Sequence, residues 1–249
     1  MFESERFFRE AWPMISQTVE SGATAARAVR WILGRAGIKA GARVLDAPCG
    51  FGRHAVEFAR LGCQVTGVDF NETELGRARA AAAKAGAAIR LVEQDMRDMD
   101  FASEFDLAVN LFSSIGYFTD DEDRLLLDRF WRALAPGGVF VIDTRNRDQV
   151  VRSLPAEERQ RSDEWTLRIE NRFDPTTSRW AARWWRIGAE APEESTGELV
   201  GESEIRLYAA HELRAMLRPD RWSRVDLYGG LDGTPFSLDA ARLVFVARK

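Results

Sequence analysis

The 249-residue sequence predicts an α/β fold: a doubly wound sheet of about seven strands, the last strand antiparallel, with a small antiparallel β insert. Three observations carry this. Short apolar strands alternate with helical periodicity up to Asp143. From 144 to 207 the pattern changes to period-two alternation broken by turn residues. After 208 the α/β pattern resumes, and its last two strands are joined without a helix, which suits antiparallel neighbours.

Each element has a local reason. Val29, Trp31, Ile32 and Leu33 stand among small and basic residues in a helix over Thr24 to Arg35, stopped by Gly37. Arg43 to Ala47 is a short apolar strand, followed by a tight Gly-containing turn. Ala55, Phe58 and Ala59 form the inward face of the next helix. Gln64 to Asp69 is the second strand. Asn71 followed by Glu74 resembles an N-cap with its reciprocal acidic partner, opening a helix that runs to Ala85 and stops at Gly86. Strands follow at Ile89 to Val92 and Phe105 to Asn110. A helix over Asp120 to Leu134 carries Leu126, Phe130 and Leu134 on one stripe. Pro136-Gly137-Gly138 breaks it, and Val139 to Asp143 is apolar enough to be buried on both faces.

Within 144–207, Trp165, Leu167, Ile169 and Phe173 alternate with polar residues as a half-buried strand. Asp174 to Ser178 is turn chemistry, and Trp180 to Ile187 returns as the second arm of a hairpin. Glu190 to Glu198 reads as an exposed acidic loop, and Ser203 to Leu207 as a third strand. Four of the eight Trp residues fall here, placed either to pack the insert on the main sheet or to wall a pocket. A short helix at His211 to Leu217 and strands at Ser223 to Tyr228 and Arg242 to Ala247 complete the chain. This gives residues 1–143 as N-terminal helices and a cofactor-binding core, 144–207 as a β insert that caps substrate, and 208–249 as completion of the core sheet.

Hydrophobic residues make up 45% of the chain and charged residues 30%, which suits a folded soluble protein. No apolar run approaches the roughly 20 residues that span a bilayer, and the charged, aromatic start is unlike a signal segment, so a cytoplasmic location is expected. The net charge of −4 argues against a nucleic-acid backbone as main partner. Cys49, Cys63 and two scattered histidines do not make a zinc site or a disulfide framework, so no metal is expected.

The central signal is Asp46-Ala47-Pro48-Cys49-Gly50-Phe51-Gly52-Arg53-His54, which joins a strand to a helix. Glycines there allow close backbone approach to a ligand, and Asp69 at the end of the next strand is placed to accept from ribose hydroxyls. These features imply a nucleotide-type cofactor. Gly50, Gly52 and Ala55 also fit a dinucleotide fingerprint. Asp46 opposes that reading, because a carboxylate in a partly buried turn repels a pyrophosphate and suits a cationic ligand. The strand-end acid Asp95 and the Pro-Gly-Gly before the fifth strand point the same way.

At this point the sequence resembles the class I S-adenosylmethionine-dependent methyltransferases, whose sheet is Rossmann-like. VLDAPCGFGRHAVEFARLGCQVTGVDF is similar to their first two motifs and EQDMRDM to the third. FDLAVNLFSSIGYF is similar to the fourth, and LAPGGVFVID to the fifth. The resemblance spans roughly Arg43 to Asp143 plus the C-terminal strand pair. It departs at Pro48, where the family has a glycine, so one backbone N–H is lost. The resemblance implies S-adenosyl-L-methionine as cofactor and S-adenosyl-L-homocysteine as product. Asp46, Ala47, Gly50 and Gly52, with Pro48 in the same turn, would hold the methionine part. Asp69 would take the ribose hydroxyls, Phe70 and Met96 would flank the adenine, and Asp95 would meet its amino group. Asn110, Leu111 and Phe112 would lie near the sulfonium.

The expected reaction is metal-independent, in-line methyl transfer to a small-molecule N or O acceptor. Tyr117 is the first candidate for a polar group beside the acceptor, with Tyr208, His211 and Asp232 behind it. His54 reads as structural. Phe7, Phe8 and Trp12 either form a lid over the cofactor or pack on the sheet. The insert is placed to cover a small-molecule substrate and to pair two copies into a homodimer. The alternatives are an NAD(P)-dependent oxidoreductase, a nucleic-acid or protein methyltransferase, and a cofactor-binding regulator without catalysis.

Overall fold

The computed structural model describes residues 4–18, 22–189 and 195–249. A π-helical turn at Phe7–Ala11 runs into the short helix α1 (Trp12–Ile15), and α2 (Ala23–Ala36) follows, ended by Gly37. The core then runs β1 (Arg43–Asp46), α3 (Arg53–Arg60), β2 (Gln64–Asp69), α4 (Glu72–Ala85), β3 (Ile89–Glu93), β4 (Phe105–Asn110), α5 (Asp120–Ala133) and β5 (Leu134–Arg145). After the short α6 (Arg147–Ser153) come β6 (Glu157–Arg161), β7 (Trp165–Asp174), β8 (Arg179–Gly188) and β9 (Glu198–Arg206). The chain ends with α7 (Ala210–Met216), β10 (Arg224–Tyr228) and β11 (Arg242–Arg248).

Seven strands form one sheet in the order β10-β11-β5-β4-β1-β2-β3. β11 alone runs antiparallel to the other six strands. β1 lies between β4 and β2, so the strand order reverses there and opens a crevice at the carboxyl edge. Alternate residues feed opposite faces. Leu45, Ala108, Phe140 and Ile142 pack under α5 and α7, while Val44, Leu107, Val109 and Val141 pack against α2 and α3. Phe130 stacks on Phe140 at 4.7 Å between centroids, and each such fully buried side chain stabilises the fold by roughly 1.5–3 kcal/mol. Thr119 and Glu122 close a capping box that starts α5.

Pro136-Gly137-Gly138 does not separate helix from strand as expected. β5 already begins at Leu134, paired with Phe105, and an irregularity in register absorbs the turn-forming residues before Val139 pairs with Leu107. The insert holds four strands where three were expected, in the order β6-β7-β8-β9, because Glu157–Arg161 adds an edge strand beside β7. The third expected strand begins earlier, at Glu198, and pairs with β8. Residues 190–194 of the expected acidic loop lie outside the described residues.

Two close approaches seat the insert. The Arg206 amide donates to the Gly116 carbonyl at 2.7 Å, and a Cβ on Gly116 would overlap the Arg206 carbonyl oxygen. On the same sheet, Leu167, Ile169 and Ala182 bury against Phe7, Ala11 and Ile15. The N-terminal aromatics therefore pack on the insert and hold it over the carboxyl edge of the core. Among the described residues, no helix is long and apolar enough to cross a membrane.

Candidate active site

The strand register gathers the predicted acids at one edge. Asp46 pairs across to Gly67 and Val109, placing Asp69 and Asn110 one or two residues further along β2 and β4. Asp46 is 1% exposed, and its Oδ2 has no hydrogen-bond partner. Burial pushes its carboxyl up to about 7; Arg53 pulls it back and Asp69 pushes it further. Asp69 accepts the Gly50 amide at 2.8 Å and the Asn71 amide at 2.9 Å. Burial nonetheless raises it to about 6, with Glu74 adding to the rise.

Glu74 does not play the expected capping role. Asn71 caps α4 alone, accepting the Thr73 amide at 3.0 Å. Glu74 Oε1 instead accepts the Ser16 hydroxyl at 3.0 Å and Arg77 Nη1 at 2.8 Å, charge-assisted partners that outbid a backbone amide. Its Oε2 is buried and unpartnered, 3.9 Å from where a Gly50 Cβ would stand. Glu74 is thus a third buried carboxylate at the turn, one that sequence reading had spent on helix capping.

The turn's amides are largely engaged. Cys49 donates to the Val68 carbonyl at 2.9 Å, Gly50 to Asp69, and Gly52 to the Cys49 carbonyl at 3.0 Å. Pro48 follows a cis peptide bond and lines the cleft. Asn110 Nδ2 donates to the Ala47 carbonyl at 2.9 Å, leaving Oδ1 without a partner. Asp46, Ala47 and Asn110 therefore sit just behind the cleft wall, whereas Gly50, Asp69, Phe70, Asp95, Met96, Leu111 and Phe112 line it. Gly52 is not on the wall; a Cβ there would stand 2.9 Å from Ala78 Cβ, so the glycine lets α3 pack on α4. Asp95 is held by Arg97, through its backbone amide at 2.8 Å and Nη2 at 2.8 Å. Arg53 lies 4.1 Å over the Phe112 ring.

The same cleft continues under the insert. Tyr117 lines it and meets Phe8 edge-to-face, with centroids 4.7 Å apart. Burial pushes the Tyr117 phenol up to about 12, against a smaller pull from Arg145. Trp180 and Trp184 of β8 face the cleft, while Trp165 packs with the N-terminal cluster and Trp185 lies under Arg168. Phe7, Phe8 and Trp12 line the cleft as well as packing on the insert.

Three other candidates lie elsewhere. The Tyr208 hydroxyl is buried 2.7 Å from Asp123 Oδ2 under α5. His211 is exposed on α7, and Asp232 accepts the Thr234 amide in a surface turn. His54 is in the cleft wall, where burial lowers it to about 3 and keeps it neutral. Among the described residues, no group of three or more His, Cys, Asp or Glu could hold a metal ion.

The family model described as "Methyltransferase domain" matches residues 44–138. That stretch is similar to a methyltransferase domain. It comprises β1 through α5 and the start of β5, the segment that builds the carboxyl-edge acids. The chain is 33% identical over 112 residues to a glycine/sarcosine N-methyltransferase from Halorhodospira halochloris, covering 44% of this chain and 42% of that one. The chain thus matches less than half the length of that relative. Similarity of fold extends over nearly the whole chain. The structure of the CcbJ methyltransferase from Streptomyces caelestis superposes with a TM-score of 0.81 over 99% of both chains, at 19% identity. A S-adenosylmethionine-dependent methyltransferase from Clostridium acetobutylicum gives 0.78 over 95% of both, at 18% identity. The seven-stranded core and its β insert therefore share one architecture with these structures.

Proposed function

We propose that the protein transfers a methyl group from S-adenosylmethionine to a small-molecule nitrogen or oxygen acceptor. One observation carries the reading. Among the described residues, the buried side-chain atoms left without partners include three acceptors at and beside the Gly50 turn: Asp46 Oδ2, Glu74 Oε2 and Asn110 Oδ1. Unpaired buried acceptors are costly, and a cationic ligand would meet Glu74 in the cleft wall with the Asp46 and Asn110 oxygens just behind it. A pyrophosphate would meet three carboxylates and a turn whose amides are already engaged, which opposes the NAD(P)-dependent alternative.

Asp46, Glu74 and the Gly50 turn would hold the methionine end, with Asp69 against the ribose and Phe70, Asp95 and Met96 around the adenine. When bound, the sulfonium cofactor supplies a methyl group already activated for displacement. The chain orients the acceptor in line with that methyl and excludes water, the work of Tyr117, Phe8 and the insert. Tyr117 stays a phenol near neutral pH, so it serves as a hydrogen-bonding orienter and not as a base. That favours an amine, which needs only its free lone pair, over a hydroxyl. The route needs no metal. Pairing of two copies through the β insert and a cytoplasmic location belong to the same reading.

The test is S-adenosylhomocysteine release from S-adenosylmethionine across a panel of small amines, phenols and alcohols. Turnover with an amine or hydroxyl member supports the reading. Cofactor binding without turnover on any member would make the protein a cofactor-binding regulator.

A further inference from the structure

Beyond the methyl-binding end, the cleft holds a cation that the fold does not use. Arg145 ends β5, lines the cleft and is exposed there. Its guanidinium carbon lies over the Trp180 ring, 4.8 Å from the centroid. Among the described residues, its side chain makes no hydrogen bond or ion pair. Two neighbouring arginines differ. Arg242 grips Asp143 with Nε and Nη2, both at 2.7 Å, and Arg147 is held by Ser178 and Asp148. Arg145 is therefore a charge held by an aromatic face, with its in-plane N–H donors open to the cleft.

The surroundings are arranged to keep it there. Trp180 is fixed by a 2.9 Å bond from Nε1 to Asn171 Oδ1, and Trp184 by a 3.0 Å bond to Ser203 Oγ. Phe8 and Trp184 supply apolar walls of the same cleft. Glu158 and Gln160 on β6 face the same space, and neither closes on Arg145. A rigid, open guanidinium fork next to flat apolar walls matches a planar oxyanion carried on a ring.

We infer that Arg145 reads an oxyanion on the methyl acceptor: a ring-bearing carboxylate or phosphate, its anion on the guanidinium and its ring against Trp184 and Phe8. The inference rests on the methyltransferase reading for the identity of the acceptor, but the anion site can be measured without it.

The experiment follows tryptophan fluorescence and calorimetry of the full chain, with and without S-adenosylhomocysteine. The probes are benzoate, phenyl phosphate and the uncharged benzamide. At least one anion should bind about tenfold or more tighter than benzamide. Arg145→Met should erase that preference and Arg145→Lys should keep part of it, because charge survives and the fork is lost. Glu158→Gln should tighten the anion by removing a like charge. Preference for benzoate assigns a carboxylate source, and preference for phenyl phosphate a phosphate source. Equal binding of benzamide and both anions, no binding of either anion, or an undiminished preference in Arg145→Met would overturn the assignment. Failure of S-adenosylhomocysteine to bind would instead sink the cofactor reading, leaving the anion comparison to be judged without it. Unchanged S-adenosylhomocysteine affinity in Arg145→Met separates loss of the anion site from loss of folding.

Discussion

Ser16 and Glu74 meet at 3.0 Å across 58 residues of sequence, and the second oxygen of that carboxylate faces the Gly50 turn with no partner. One side chain thus ties the N-terminal helical segment to the Gly50 end of the cleft. Glu74→Gln keeps an acceptor for Ser16 but removes the charge. It should weaken S-adenosylmethionine binding by about 5–30-fold, the equivalent of roughly 1–2 kcal/mol for one charge-assisted contact. Titration calorimetry checks this, and unchanged affinity would remove Glu74 from the site.

Asp46 at about 7 and Asp69 at about 6 give the site a direction in pH. Both lie above the unfolded value of about 3.9, so the folded chain without ligand holds protons that the unfolded chain has lost. Its stability from these groups falls as pH rises from about 4 through 7. A cationic ligand needs the ionised forms, so its affinity should move the opposite way. Binding of S-adenosylmethionine should weaken on the order of 10–100-fold between about pH 8 and pH 5, and Asp46→Asn should flatten the curve.

Much of this site was legible as positions and little of it as contacts. Strand alternation and turn chemistry placed Asp46, Asp69, Asp95 and Asn110 on one sheet edge, because register in a parallel sheet follows from burial on both faces. Glu74 was misread because its spacing from Asn71 is also that of a capping pair; only the fold brings Ser16 and Arg77 to it. Arg145 gave no signal beyond standing two residues past a strand-end acid, in a chain rich in arginine. Tyr208 and His211 stood behind Tyr117 as candidates in sequence, and the fold buries one beneath α5 and exposes the other.

Tyr117→Phe keeps the ring against Phe8 and removes the hydroxyl. With the phenol pushed up to about 12, its loss should leave the shape of the pH–rate profile between about pH 6 and 9 unchanged. The rate should fall by roughly tenfold or less, as expected for an orienting hydrogen bond worth about 1 kcal/mol. A vanished basic limb in steady-state rates would make Tyr117 a base instead.

Gly116 has φ of +101° and its carbonyl accepts the Arg206 amide. Gly116→Ala places a methyl against the Arg206 carbonyl oxygen in a backbone conformation that side chains avoid. It should cost about 2–4 kcal/mol. At roughly 2–4 °C per kcal/mol for a chain of this size, thermal unfolding should drop by roughly 5–15 °C. A melt within a degree of wild type would show that the insert is not locked through this contact.

The central claim is that the buried acceptors at the Gly50 turn select a cationic cofactor. Thermal unfolding with S-adenosylmethionine, S-adenosylhomocysteine, NAD and NADP in parallel tests it most directly. At about 100 times its dissociation constant a ligand stabilises by roughly 2.7 kcal/mol, which at roughly 2–4 °C per kcal/mol is a shift of about 5–10 °C. That shift is expected for the two sulfur compounds alone. A shift with NAD or NADP alone would contradict it.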